Sequence, residues 1–182
     1  MHSAVIDALS THTCADEKEA SDCAFILKCL NEGPSCFGQS NQKAHLTGSA
    51  FILDPSHRVL FTFHGKLNRW LQLGGHSEPD ERCLSQTALR EAQEESGLSD
   101  LVFHPRLSPR LLDVDVHLIP QRKKQPAHYH LDFRYVFLTC TPNRIIVSSE
   151  SHSLEWFSVD AARKLDIDPA LSRALGKLRR LI

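Results

Sequence analysis

Three glutamates, Glu91, Glu94 and Glu95, stand at i, i+3 and i+4 just ahead of Gly97. The stretch from about Glu81 to Ser96 reads as a helix, and Gly97 in the C′ position stops it. At 100° per residue the three carboxylates share one face, where each like-charge pair costs a few tenths of a kcal/mol. They also occupy the last two turns, where the helix dipole disfavours anions. A hard divalent cation resolves both conflicts, because carboxylate oxygens suit Mg²⁺ or Mn²⁺ and the ion's charge keeps the glutamates ionised. Gly74-Gly75 precedes the helix and is expected to end a short strand at Trp70 to Leu73, turn sharply, and bring bare backbone near a ligand.

The rest of the chain is consistent with one globular domain carrying that site. Its 182 residues are 41% apolar and 24% charged, with no repeat, low-complexity tract or Gly/Ser linker. The net charge of -1 offers no overall attraction to a nucleic acid duplex or an anionic membrane, so an anionic substrate must be handled locally. No apolar run approaches the roughly 18 residues of a membrane helix, and residues 1–20 lack the basic and apolar regions of a leader; a cytoplasmic location is expected. Cys14, Cys23, Cys29, Cys36, Cys83 and Cys140 form no C-x-x-C pair and read as free thiols.

Periodicity predicts an amphipathic helix over Asp16 to Asn31 and two β-prone runs, Ala44 to Leu53 and Arg58 to His64, joined as a hairpin through Asp54-Pro55-Ser56-His57. Further strands are expected at Leu111 to Ile119, His130 to Thr139 and Leu154 to Val159. A final helix has Asp168 as N-cap and Pro169 as its first residue. This alternation indicates an α+β fold with a mixed sheet between helices.

The stretch GGHSEPDERCLSQTALREAQEESGL, Gly74 to Leu98, resembles the Nudix box, G-x5-E-x7-R-E-U-x-E-E-x-G-U with U a bulky aliphatic residue. Arg90, Glu91, Glu94, Glu95, Gly97 and Leu98 fill the second half in register. Two departures stand out. Eight residues rather than seven separate Glu81 from Arg90, which leaves the first-glutamate role open between Glu81, Asp80 and no residue at all, and puts Arg82 at that position when counting back from Arg90. Ala92 replaces the bulky aliphatic residue. The resemblance implies a Nudix-like α/β/α sandwich over 44–165, with a helical extension at 1–43 and the helix of 166–182 packed on the same domain. It implies metal-dependent cleavage of a diphosphate bond in a nucleoside diphosphate linked to another group, by water attack on phosphorus. Glu91, Glu94, Glu95 and Gly75 are then the expected metal ligands, and Arg90, Glu94 and Glu95 the catalytic group, with Arg90 orienting the glutamates or meeting a phosphate.

Outside the box, His128, His130, Asp132 and Arg134 alternate onto one strand face that then continues as Val136 and Leu138. A face that changes from polar to apolar is expected where a cleft runs into the core. Asp113, Asp115 and His117 form a similar polar row, and the two strands are expected to pair. Candidate substrate contacts are Lys66, Arg69, His76, His128, His130 and Asp132, with Arg122, Lys123 and Lys124 as a further basic cluster. Glu150, with Glu155 beside the last strand, is the candidate general base. Two other readings stay open: an isomerase of isoprenoid diphosphates on a Nudix-like fold, kept open by the histidine-rich strands although the box is hydrolase-like, and a non-catalytic nucleotide-binding module. P-loop, H-E-x-x-H and G-x-S-x-G motifs are absent from the sequence.

Overall fold

A computed structural model describes residues 1–31, 43–65, 67–121, 125–147 and 153–182. Lys66, Arg122, Lys123, Lys124 and Glu150, with Cys36 and the Gly33-Pro34 stop, lie outside the described residues. In chain order the elements are α1 (His2–Ser10), α2 (Glu17–Asn31), β1 (Ala44–Leu53), β2 (Arg58–His64), β3 (Arg69–Leu71), β4 (Leu73–His76) and α3 (Leu84–Ser96). They continue as β5 (Val102–Phe103), β6 (Asp113–Ile119), β7 (His128–Leu138), a 3₁₀ turn (Pro142–Arg144), β8 (Leu154–Ser158), α4 (Val159–Ala162) and α5 (Pro169–Arg179).

The sheet is mixed, and β1 and β7 are its spine. They run parallel from Ala44↔Tyr129 to Leu53↔Leu138. β1 also pairs antiparallel with β2 and β4, and β7 with β5 and β6. The β1–β2 hairpin turns where expected: Asp54 Oδ1 accepts the Ser56 and Arg58 N–H groups at 2.9 and 2.8 Å, and Oδ2 accepts from Arg58 Nε at 2.7 Å.

The two faces of β1 show how the layers form. Ala44, Leu46, Ala50 and Ile52 join Leu84, Ala88 and Ala92 of α3 and Ile26 and Leu30 of α2 in one core. On the opposite face Phe51 and Leu53 join Val136, Leu171, Ala174, Leu175 and Leu178 in a second core under α5. The result is the expected α+β sandwich, helices on both faces of a mixed sheet.

Helix α1 was not visible in the periodicity. Helix α2 does more than pack. Asp16 Oδ1 accepts the Glu19 N–H at 2.8 Å at its start. Its Glu19 and Asp22 carboxylates then accept the Val114 and Val116 N–H groups of β6, each at 3.1 Å, so the acidic side chains cover that strand's outer edge.

Two boundaries differ from the expectation. The strand expected at Trp70 to Leu73 is two strands, and Gly74-Gly75 is part of β4, paired with Ser49 and Gly48, rather than the turn. The turn comes later, where the Glu81 N–H meets the Glu78 carbonyl at 3.2 Å. Helix α3 accordingly begins at Leu84, three residues after its expected start.

Candidate active site

The polar half of the β1–β7–β6 face opens as a cleft of about 570 Å³. Register creates it. His45↔His130↔His117, Thr47↔Asp132↔Asp115 and Ser49↔Arg134↔Asp113 form three polar rows across the strands, and Phe51↔Val136 continues them as core. Glu91 and Glu95 of α3, Gly74, Gly75 and His76 of β4, and His128, His130 and Asp132 of β7 all line this cleft. Sequence patterning therefore located the cleft wall, and the expected pairing of β6 with β7 is present.

Helix α3 is continuous from Leu84 to Ser96, and Gly97 ends it at φ 73°, a left-handed conformation that favours glycine. Glu91 and Glu95 reach toward β4. Glu95 Oε2 accepts the Gly74 N–H at 3.1 Å. A Cβ built on Gly75 would overlap the Glu91 carboxylate, so only glycine admits this approach without displacing the glutamate. Two carboxylates held against bare backbone in a cleft fit the oxygen preference of Mg²⁺ or Mn²⁺. Glu94 differs: its side chain is 59% exposed and it does not line the cleft.

Arg90 ties this helix to the preceding loop. Its Nε donates to Glu81 Oε1 at 2.9 Å, one terminal nitrogen to Glu91 Oε1 at 2.8 Å and Glu94 Oε2 at 3.0 Å, and the other to the His76 carbonyl at 2.9 Å. Burial alone would lower its pKa; the Glu81 and Glu91 carboxylates outweigh that and hold it above its ordinary value. Arg90 is thus committed to positioning, and it is not among the residues that line the cleft.

The displaced glutamate resolves as Glu81. Its Oε2 also accepts from Thr87 Oγ1 at 2.6 Å and from the Glu78 N–H at 2.8 Å, whereas Asp80 is exposed. Because Glu81 reaches Arg90 and α3 is unbroken, the extra residue is absorbed at Arg82-Cys83, between Glu81 and the helix.

Asp132 lies on the cleft floor with its oxygens engaged. Oδ1 accepts from Thr47 and Ser49 hydroxyls at 3.0 and 2.8 Å, and Oδ2 accepts from Arg134 Nε at 2.9 Å. Arg134 is buried and also pairs with Asp113 and Asp115, a network that packs the floor rather than a solvated sheet face. The histidines crowd the wall. Burial first, then the neighbouring imidazoles, push His76 down to about 4 and His130 down to about 3. His117 is opposite: burial would lower it, but its 2.9 Å hydrogen bond to Asp115 holds it raised.

Arg69 is exposed on β3, paired with His64 at the edge of the cleft but not itself a lining residue, and Glu155 is exposed on β8. Thr47, Ser49, Gln72 and Glu78 line the cleft without having been singled out, His117 of the expected β6 polar row lines it as well, and His45 is buried behind it. The signal was present for β1: His45, Thr47 and Ser49 alternate and then give way to Phe51 and Leu53, the habit that exposed β7.

The NUDIX domain family matches residues 43–177. The chain belongs to the Nudix family. It is 33% identical over 101 residues to the probable DHNTP pyrophosphohydrolase of Lactococcus lactis subsp. cremoris, a match covering 54% of this chain and 57% of that protein. The Nudix chain thus aligns with little more than half of this curated relative's length. A NUDIX-family hydrolase from Clostridium perfringens superposes with a TM-score of 0.55 at 27% identity, covering 77% of this chain and 99% of the other. The E. coli dihydroneopterin triphosphate pyrophosphohydrolase superposes at 0.53 with 18% identity over 72% and 92% of the chains, which shows the fold alone.

Proposed function

We propose that this Nudix protein is a pyrophosphohydrolase that cleaves the diphosphate bond of a nucleoside diphosphate linked to another group, using Mg²⁺ or Mn²⁺. One observation carries the reading: Glu91 and Glu95 press against the bare backbone of Gly74 and Gly75 inside a cleft large enough for a nucleotide-sized ligand. Glu91, Glu95 and the Gly75 carbonyl would hold the cation, with Glu94 available from the helix end. The bound ion supplies positive charge against the phosphate oxygens where negative charge develops.

The chain's own residues do the remaining work. Arg90 holds Glu91 in place by bonding it while also bonding Glu81 and the His76 carbonyl, which ties a loop, a strand and a helix together. Asp132, with Thr47, Ser49 and Arg134, gives the floor a fixed polar surface. His76, His128 and His130 form the wall that a phosphate or base would meet. Lys66, as a phosphate contact, and Glu150, as general base, are the candidates the sequence offers for this chemistry.

The test is a screen with added Mg²⁺ or Mn²⁺ against nucleotide sugars, dinucleotides, ADP-ribose, nucleoside triphosphates and dihydroneopterin triphosphate, with products identified. The last compound enters because of the name of the Lactococcus relative. Paired phosphate-containing fragments, lost in excess chelator, are expected. An isoprenoid diphosphate is included in the screen: its rearrangement would support the isomerase reading instead, and ligand binding without turnover would support the binding module.

A further inference from the structure

Beside the carboxylates, three imidazoles converge from three strands. His76 Nε2 of β4 lies 3.3 Å from His45 Nδ1 of β1 and 3.2 Å from His130 Nε2 of β7, and all three ligating nitrogens fall within 4.8 Å of one another. A ring nitrogen carries either one proton or one in-plane lone pair. His76 Nε2 can therefore share a proton with one of its two nitrogen neighbours at a time, whereas a cation can take a lone pair from each of the three rings.

The distances specify the kind of cation. Zinc–imidazole bonds of 2.0–2.1 Å place tetrahedral ligand nitrogens about 3.3–3.4 Å apart. Both short separations here are close to that value. Mg²⁺ prefers oxygen, whereas imidazole suits Zn²⁺, Co²⁺ or Ni²⁺, so this cluster and the Glu91/Glu95 pair select different ions. From this arrangement the geometry points to a transition-metal site formed by His45, His76 and His130, selective for Zn²⁺-type ions and separate in its ligands from the carboxylate site.

Three protein nitrogens leave the fourth tetrahedral position open, the arrangement of reactive rather than purely structural zinc. His76 and His130 line the cleft, which gives an ion a route to the three rings. The surroundings hold the rings in place. His45 is buried and packs against His128 at 4.3 Å between ring centroids, and His128 Nδ1 is 2.9 Å from the Pro126 carbonyl. The ligands lie on neighbouring strands in fixed register, His45↔His130 and Thr47↔His76, so the site is built into the sheet.

Co²⁺ titration of the metal-stripped, reduced protein in excess Mg²⁺ tests this site independently of activity. One equivalent of Co²⁺ should give the visible absorption of a four- or five-coordinate nitrogen site without thiolate charge-transfer bands, and Zn²⁺ should displace it. His45→Ala and His130→Ala should weaken binding by about a hundredfold or more, while Glu91→Gln leaves it within about twofold. His130→Gln, with folding checked by thermal melt, covers the case in which alanine disturbs the sheet. Absence of the bands in the parent protein, thiolate bands from the cysteines, or unaltered affinity in a folded His130→Gln would overturn the assignment. None of these results bears on the Mg²⁺ reading of Glu91 and Glu95.

Discussion

Replacing Glu19 by alanine tests how the N-terminal helices are joined to the Nudix domain. Glu19 is 0% exposed, and its carboxylate meets Lys177 of α5, His12 Nε2 at 2.7 Å, the Ala15 N–H at 2.7 Å and the Val114 N–H of β6 at 3.1 Å. Removing one member of a buried ion pair costs about 3–5 kcal/mol. Lys177 keeps Asp113 at 3.0 Å, which draws that figure toward its lower end, while the orphaned Val114 N–H adds about 1–3 kcal/mol. A loss of about 4 kcal/mol is expected, or about 8–16 °C in Tm for a chain of this size. The assay is urea and thermal unfolding of Glu19→Ala, Lys177→Met and the double variant, whose cost should fall well below the sum of the two. Acidity gives a second readout. Burial would raise the Glu19 pKa, but the bonds from His12, Lys177 and Ala15 hold it far below its ordinary 4.5. Folded Glu19 therefore takes up a proton less readily than unfolded Glu19, and its contribution is complete above about pH 4.5 and lost as pH falls toward the folded value. The stability gap between the parent and Glu19→Gln should narrow over that range. A loss under about 1 kcal/mol in Glu19→Ala, or a gap that widens in acid, would refute the reasoning.

Glu95→Gln should reduce turnover at least about a hundredfold while Tm holds or rises slightly, because the amide keeps the contact to the Gly74 N–H and relieves like-charge repulsion by tenths of a kcal/mol; steady-state kinetics and a melt check it. Glu81→Ala should lower both stability and rate, since it removes Arg90's bond to the loop before α3, whereas exposed Asp80→Ala should alter neither by more than about twofold or 0.5 kcal/mol. Gly75→Ala should push the flexible Glu91 carboxylate aside, raising the Mg²⁺ concentration needed for half activity by about tenfold or more with little change in Tm.

The local signals were legible where one element carries its own reason. Periodicity placed α2, β1 and β2. Asp168 caps α5 as expected, accepting the Leu171 N–H at 2.8 Å. The glutamate spacing with Gly97 located α3, and the polar-to-apolar change along β7 marked the cleft, because alternation and helical pitch are properties of consecutive residues. The chain's tertiary pairing decided the rest. Gly74-Gly75 looks like a turn in isolation, yet β1 recruits it as a strand. Glu81 tolerates the extra residue because a long side chain reaches Arg90 across the loop. The parallel pairing of β1 with β7 joins residues 85 apart in sequence, from Ala44 to Tyr129, and nothing local encodes it. That pairing alone brings His45 beside His130 and completes the polar floor. Side-chain chemistry was therefore written in the sequence, while the distances that turn separate histidines and carboxylates into sites arise from strand register, which depends on residues far apart along the chain.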